Sequence, residues 1–200
     1  MAYSIQVKGI HGIEKYLESI PKAVEQASRE AVDSATKYAF VLGKREIQLQ
    51  VNLPDKYLSG SESGEPRFYI AKRPSRSDTT GIVRGRVRGT SLHRFLVSDK
   101  GQGLLVKVKS RGKSVRMRRA FSIKLKNGNR GIALRLPSTE KPLSTGAKLY
   151  GTKANTAKTN LWLLYGPSVQ QVFKDVAPDI APKVSEYLNS EFNRKIARML

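Results

Sequence analysis

Val115 to Leu136 reads VRMRRAFSIKLKNGNRGIALRL, and the pattern inside it decides how the rest of the chain is expected to fold. Phe121, Ile123 and Leu125 alternate with Ser122, Lys124 and Lys126. Beyond Asn127-Gly128-Asn129, the residues Ile132, Leu134 and Leu136 alternate with Ala133 and Arg135. A period of two on either side of a glycine-containing turn predicts a β-hairpin with one oily and one cationic face. The oily face needs a cover, and the amphipathic segments near the two ends of the chain are the available ones. The cationic face needs water or an acidic partner.

Working outward, further strands are expected at Arg67 to Lys72, Gly81 to Arg88, Leu92 to Val97 and Leu104 to Lys109. Val83 and Val87 alternate with Arg84, Arg86 and Arg88, and Val106 and Val108 with Leu105, Lys107 and Lys109, so the greasy and basic sides recur. Such strands, joined by glycine and serine, predict an antiparallel sheet or open barrel. Ahead of them, Ser4 to Lys8 suits a short strand and Gly12 to Ser19 a helical turn. From Pro21 to about Val51 a long helix is expected, with Val24, Ala27, Ala31, Ala35, Tyr38, Leu42 and Leu49 on one stripe. Asn52-Leu53-Pro54 ends it, Pro54 to Leu58 suits a further helical turn, and SGSESGEP (Ser59 to Pro66) reads as a loop.

Downstream, Pro137 to Asn160 carries little core material and reads as a projecting arm without regular structure, which would order against another subunit or a bound polymer. Its Lys141, Lys148, Lys153 and Lys158 are the candidates for inter-subunit contact. Leu161 to Tyr165 reads as a buried strand, followed by a helix over Val169 to Val176 with Ser168 placed to cap it. Pro178 and Pro182 mark a restart into a last helix striped by Ile180, Val184, Tyr187, Leu188, Phe192, Ile196 and Met199. Trp162 and Phe192 are expected in the core. The predicted fold is α+β: an antiparallel sheet or open barrel flanked by a long N-terminal helix and a C-terminal helix. We expect a single domain over 1–200, organised as 1–58, 67–136, 137–160 (the arm) and 161–200.

Charge is segregated along the chain. Of 37 basic and 16 acidic side chains, residues 67–160 hold 24 and 3, residues 1–66 hold 8 and 9, and residues 161–200 hold 5 and 4. A net +21 confined to the middle raises the potential over one surface and attracts polyanions or acidic proteins. Arg84, Arg86, Arg88, Lys107, Lys109, Arg111, Lys113, Arg116, Arg118, Arg119, Lys124, Lys126 and Arg130 are the candidates to face DNA or a partner. Reversing Arg116, Arg118 and Arg119 to glutamate is expected to spare the fold, since they alternate with Val115 and Met117. Phe68, Tyr69, Phe95, Phe121 and Tyr150 are the rings of this region, and most alternate onto the oily side, so base reading is not expected. Nonspecific nucleic-acid binding, with dissociation constants of roughly 10⁻⁴ to 10⁻⁶ M near physiological salt, is what such cations supply.

Catalysis and cofactors find little support. There is no cysteine, which removes disulfides and thiolate metal sites, and the two histidines, His11 and His93, fall in different elements. Gly81, Gly85 and Gly89, and the Gly101-Gln102-Gly103 step, lack the strand-to-helix context of a phosphate-cradling loop. We expect no enzyme, no cofactor and no metal. MAYSIQVKGI lacks a charged leader followed by an apolar run, and the longest wholly apolar runs are Ala39 to Leu42 and Leu161 to Leu164. Neither a signal peptide nor a membrane span is expected.

Ile5-Gln6-Val7-Lys8-Gly9-Ile10 before a long alanine-rich helix, the hairpin Arg119-Ala120-Phe121 to Gly131-Ile132, and Leu164-Tyr165-Gly166-Pro167-Ser168-Val169 together resemble the minor tail protein Z family of long-tailed bacteriophages and prophages. The likeness covers about half the chain, and the lysine-threonine arm departs from that family's shorter link. The resemblance implies a non-enzymatic virion protein, assembled in the host cytoplasm, that completes the head-proximal end of the tail. It implies a homo-hexameric ring that joins tail-tube or terminator subunits to neck or connector proteins, with possible nonspecific contact to DNA in the channel and no membrane. Six copies would gather 6 × 21 = 126 formal positive charges, which acidic neighbours or DNA would have to offset. The alternative from composition alone is a free, nonspecific nucleic-acid-binding protein. A third reading is an assembly chaperone that leaves the finished particle.

Overall fold

A computed structural model of the chain describes residues 4–7, 22–60, 65–137, 147–149 and 161–198. The expected turn over Gly12 to Ser19, and Met199, lie outside these residues. The fold is α+β: antiparallel strands, with one long helix after the first strand and another after the last. The residues group into two compact units: Met1–Ile47, Asp55–Val87 and Val169–Leu200 form one, and Gln48–Pro54 with Arg88–Ser168 the other.

The first unit is built on α1 (Lys22–Gln50). Its buried ridge advances in steps of four: Ala27, Ala31, Ala35, Ala39, Gly43 and Ile47, with Val24, Val32 and Thr36 beside it. Small residues along an i, i+4 ridge let another element approach closely. The expected stripe holds through Ala35. Beyond it Tyr38 and Leu42 are half-buried, and Leu49, assigned to the stripe, is exposed, because a four-residue step drifts around the helix and carries the ridge to Gly43 and Ile47. The sheet of this unit has the order β1 (Ser4–Val7), β3 (Gly81–Gly85), β2 (Phe68–Lys72), all antiparallel. Gly81 sits where helix meets sheet: a Cβ there would lie 1.8 Å from Thr36 Oγ1, whose hydroxyl donates to the Val32 carbonyl. Gly81→Ala is therefore expected to cost about 1–3 kcal/mol by overpacking, measured by urea unfolding, with Thr36→Ala in the same chain restoring part of it.

The strand expected over Gly81 to Arg88 stops at Gly85, and Val87 is 63 % exposed rather than facing a core. Its continuation is held differently: the Arg86 N–H donates to the Arg67 carbonyl (2.7 Å), and the Arg86 carbonyl accepts from Gln170 N–H (3.1 Å). Arg67 itself is buried, its Nη1 donating to the Tyr57 carbonyl in α2 (Asp55–Ser59) and its guanidinium lying 3.9 Å from the Tyr57 ring centre.

The C-terminal helix α3 runs unbroken from Val169 to Ile196, with Pro178 and Pro182 inside it, so the expected restart does not occur. Each interior proline removes a hydrogen bond and costs about 3 kcal/mol. Both point to solvent, while Val172, Phe173, Val176, Ala177, Ile180, Val184 and Leu188 are buried on the opposite side, and that burial offsets the loss. Phe192 and Tyr187 are half-buried rather than core. The two long helices run antiparallel: Tyr38 stacks on Tyr187 (4.4 Å between ring centres), and Lys195 reaches Glu30 (3.3 Å).

The second unit holds the remaining strands. β10 (Ala147–Leu149), β11 (Leu161–Gly166), β9 (Arg130–Arg135) and β8 (Ala120–Lys124) form one antiparallel sheet, with β4 (Thr90–Ser91) pairing the end of β11. β5 (Leu96–Ser98), β6 (Leu104–Val106) and β7 (Val115–Met117) form another. The hairpin is present, closed by a turn in which Leu125 accepts from Gly128 N–H and donates to the Asn129 carbonyl, with Gly128 at φ 79° as such a turn requires. Its faces differ from expectation. Phe121 pairs with Ala133 and Ile123 with Gly131, whereas Ile132 opposes Ser122 and Leu134 opposes Ala120. The oily residues of the two strands therefore lie on opposite faces, because the bulge at Gly128 adds a residue to the turn and shifts the register by one. Central β9 is covered on both sides, Ile132 and Ala133 both being fully buried.

Three other expectations change in this unit. Val115–Met117 pairs with β6 rather than extending the hairpin, and Arg118-Arg119 form the turn between β7 and β8. Leu92 to Val97 is a 3₁₀ turn (Leu92–Phe95) leading into β5, and its three-residue period puts Leu92 and Phe95, both buried, on one side. β6 ends at Val106, and Lys109 makes an isolated bridge to Val51. Within the supposedly irregular arm, Ala147–Leu149 is a strand in register with Trp162 to Leu164. Trp162 is half-buried. Gly166 is required by packing, since a Cβ would lie 2.6 Å from Phe95.

Candidate polyanion-binding surface

The two units differ in charge compensation. The first carries 19 basic and 14 acidic side chains, and many of its cations are paired: Lys37 with Asp33, Lys44 with Asp55, Arg73 with Asp33, Lys195 with Glu30, and Lys72 with Asp78. Contact with Lys72, supported by Thr80, holds the Asp78 carboxyl at about 2. Arg194 clasps Glu191 through Nε and Nη2 (3.0 and 2.7 Å) and lowers its pKa. The second unit carries 18 basic and 2 acidic side chains, a net of +16, and Asp99 is the one carboxylate among its described residues.

The predicted candidates divide accordingly. Arg84, on β3, and Arg86 belong to the first unit. Arg88, Lys107, Lys109, Arg111, Lys113, Arg116, Arg118, Arg119, Lys124, Lys126 and Arg130 belong to the second, all exposed except the half-buried Lys107. Among the described residues, Arg88, Lys107, Lys109, Arg111, Lys113, Arg118, Lys124, Lys126 and Arg130 form no ion pair. Of the arm candidates, Lys148 lies in β10, and Lys141, Lys153 and Lys158 lie outside the described residues.

Part of this charge has a structural use. Arg116 Nη1 donates to the carbonyls of Lys100 (3.3 Å) and Gln102 (3.5 Å) in the turn between β5 and β6, so its reversal would remove two contacts of that turn as well as change the charge. At that turn Gly103 (φ 81°) lies so close to β7 that a Cβ would be 2.3 Å from the Met117 carbonyl oxygen. Ser110, unremarked in the sequence, closes the end of α1: its hydroxyl donates to the Gln48 carbonyl (2.6 Å) and its N–H to that of Gln50 (3.1 Å). These are orphan carbonyls of the last helical turn, and α1 carries no basic residue there. Lys109 and Arg111, either side of Ser110, stand by the negative end of the helix dipole. A side-chain hydroxyl 62 positions away leaves no local pattern to find.

His93 sits in the 3₁₀ turn with Nδ1 buried and without a hydrogen-bond partner. Burial first, then the charges of Arg130 and Arg94, push the imidazole below its ordinary 6.5, while Asp99 acts weakly against them. The native chain thus resists a proton that the unfolded chain accepts. Stability is full above the unfolded value and falls as pH drops from about 6.5 toward the folded value. Urea midpoints at pH 7.5 and 5 are expected to differ less in His93→Gln than in the parent.

What the described residues of this unit present is a set of exposed cations. Among the described residues no group of three His, Asp or Glu side chains is placed to hold a metal, and no helix is long and apolar enough to cross a membrane. Comparison with protein-family models, curated proteins and solved structures returns no match.

Proposed function

We propose that this chain is a non-enzymatic structural protein of a long-tailed phage or prophage that completes the head-proximal end of the tail. In this reading it works as a sixfold ring whose second unit faces acidic tail and neck subunits or DNA. The observation that carries the polyanion part is the +16 of that unit's sequence, together with Arg88, Lys109, Arg111, Lys113, Arg118, Lys124, Lys126 and Arg130, which are exposed and form no ion pair among the described residues. The phage part rests on the resemblance. Its most specific letters, Leu164 to Val169, form the end of β11 and the entry to α3, where Gly166 is demanded by Phe95 and Ser168 and Val169 are buried.

Mass spectrometry of purified virions, with imaging of the neck, is the test: the protein is expected in the finished particle at the head-tail joint. Its absence there, or normal infectivity without it, would overturn the proposal. The unpaired cations also favour a second reading, a free nonspecific nucleic-acid-binding protein. That reading expects the lone chain to bind duplex DNA with a steep loss on adding salt and no dependence on tail or neck subunits.

A further inference from the structure

We propose that the open edge of β8 accepts an extended acidic segment of another protein as an added strand. This rests on the reading that the second unit meets something acidic, and it names how. Among the described residues β8 is the last strand of its sheet, paired on one side with β9. Since Leu125 N–H bonds to the Asn129 carbonyl, the pairs at Ile123 and Phe121 are the hydrogen-bonded ones, by alternation. The N–H and C=O of Ser122 and Lys124 therefore point away from β9, and neither residue has a partner on that side among the described residues. Both are exposed. An unpaired edge of this kind is a template for strand addition.

The chemistry of the edge selects the occupant. Lys124 stands directly opposite Arg130, a like-charge cross-strand pair without a neutralising carboxylate. An added strand would place one side chain on that same face beside Lys124, where a carboxylate relieves the repulsion. Its neighbours in sequence would fall on the other face, against Phe121 (37 % exposed) and half-buried Ile123. A segment alternating acidic and apolar residues fits both faces. A second copy does not: antiparallel self-pairing centred on Ser122 sets Lys126 opposite Arg118. Nucleic acid could use the cations but not the aligned amides.

The probe is a peptide of alternating glutamate and valine, titrated against the full chain by fluorescence anisotropy, with duplex DNA in parallel. Ser122→Pro removes one outward N–H and leaves the β8–β9 ladder intact. It is expected to weaken the peptide about five- to tenfold, while Ser122→Ala stays within about twofold and DNA binding is unchanged. Exchange of the Ser122 and Lys124 amides should slow with peptide. If Ser122→Pro loses the parent circular dichroism, a backbone N-methylated peptide against the parent chain replaces it, with the same expected loss. Equal affinity in these pairs, unslowed amides, or slowing by DNA instead of peptide overturns strand addition. Failure of both peptide and DNA to bind at low salt overturns it together with the polyanion reading, whereas binding without dependence on Ser122 overturns strand addition alone.

Discussion

Phe173→Ala is expected to lower the unfolding free energy by about 3–5 kcal/mol, and with it the thermal midpoint by roughly 6–20 °C. Phe173 is fully buried and meets Phe68 edge-on at 4.8 Å, and Phe68 in turn stacks on Phe40 at 5.3 Å. The three rings tie α3, β2 and α1 together around Gly43, where a Cβ would lie 2.9 Å from Phe68 and 3.0 Å from Phe173. Removing the ring leaves a cavity that surrounding rigid elements cannot close, which places the loss at the upper end for a core truncation. Gly43→Ala should act from the opposite side, by crowding, and more weakly. Both are read by thermal and urea unfolding. A loss below about 1 kcal/mol for Phe173→Ala would mean that the aromatic cluster does not form.

Reversing Lys113, Arg118 and Lys126 to glutamate is expected to weaken binding of duplex DNA, or of an acidic polymer, by on the order of a hundredfold near physiological salt. The slope of log K against log salt should become shallower by up to about three. These three are exposed and form no ion pair among the described residues, so stability should stay within about 0.5 kcal/mol of the parent. The choice avoids Arg116, whose guanidinium holds the Lys100 and Gln102 carbonyls. Anisotropy titrations at several salt concentrations check it, and an unchanged slope would remove these cations from the binding surface.

The long elements were legible because their signals are periodic. α1, the hairpin turn, β2, the β11 strand and the C-terminal stripe all appear where spacing and turn letters put them. The faces of the hairpin were not, because a single-residue bulge at Gly128 exchanges the sides of one strand relative to the other, and letter alternation is blind to that shift. Nor was the continuity of α3 across Pro178 and Pro182, since local propensity argues for a break and only the buried face opposite shows why none occurs. The candidate surface was visible as composition, yet which cations are engaged, as Arg116 is, depends on contacts between strands distant in sequence.

The interruption of the first unit by the second has a consequence during synthesis. The ridge of α1 leaves the ribosome long before α3, whose first residue lies 119 positions after Gln50. At typical elongation rates of about 5–20 residues per second, the Gly43 end of that surface meets Phe68 of β2 early but waits roughly 6–24 s for α3, whose Phe173 packs against it. The smallness of the ridge is protective, because alanine and glycine offer nascent-chain neighbours little to adhere to, whereas enlarging the ridge would leave the part that awaits α3 sticky for the whole interval.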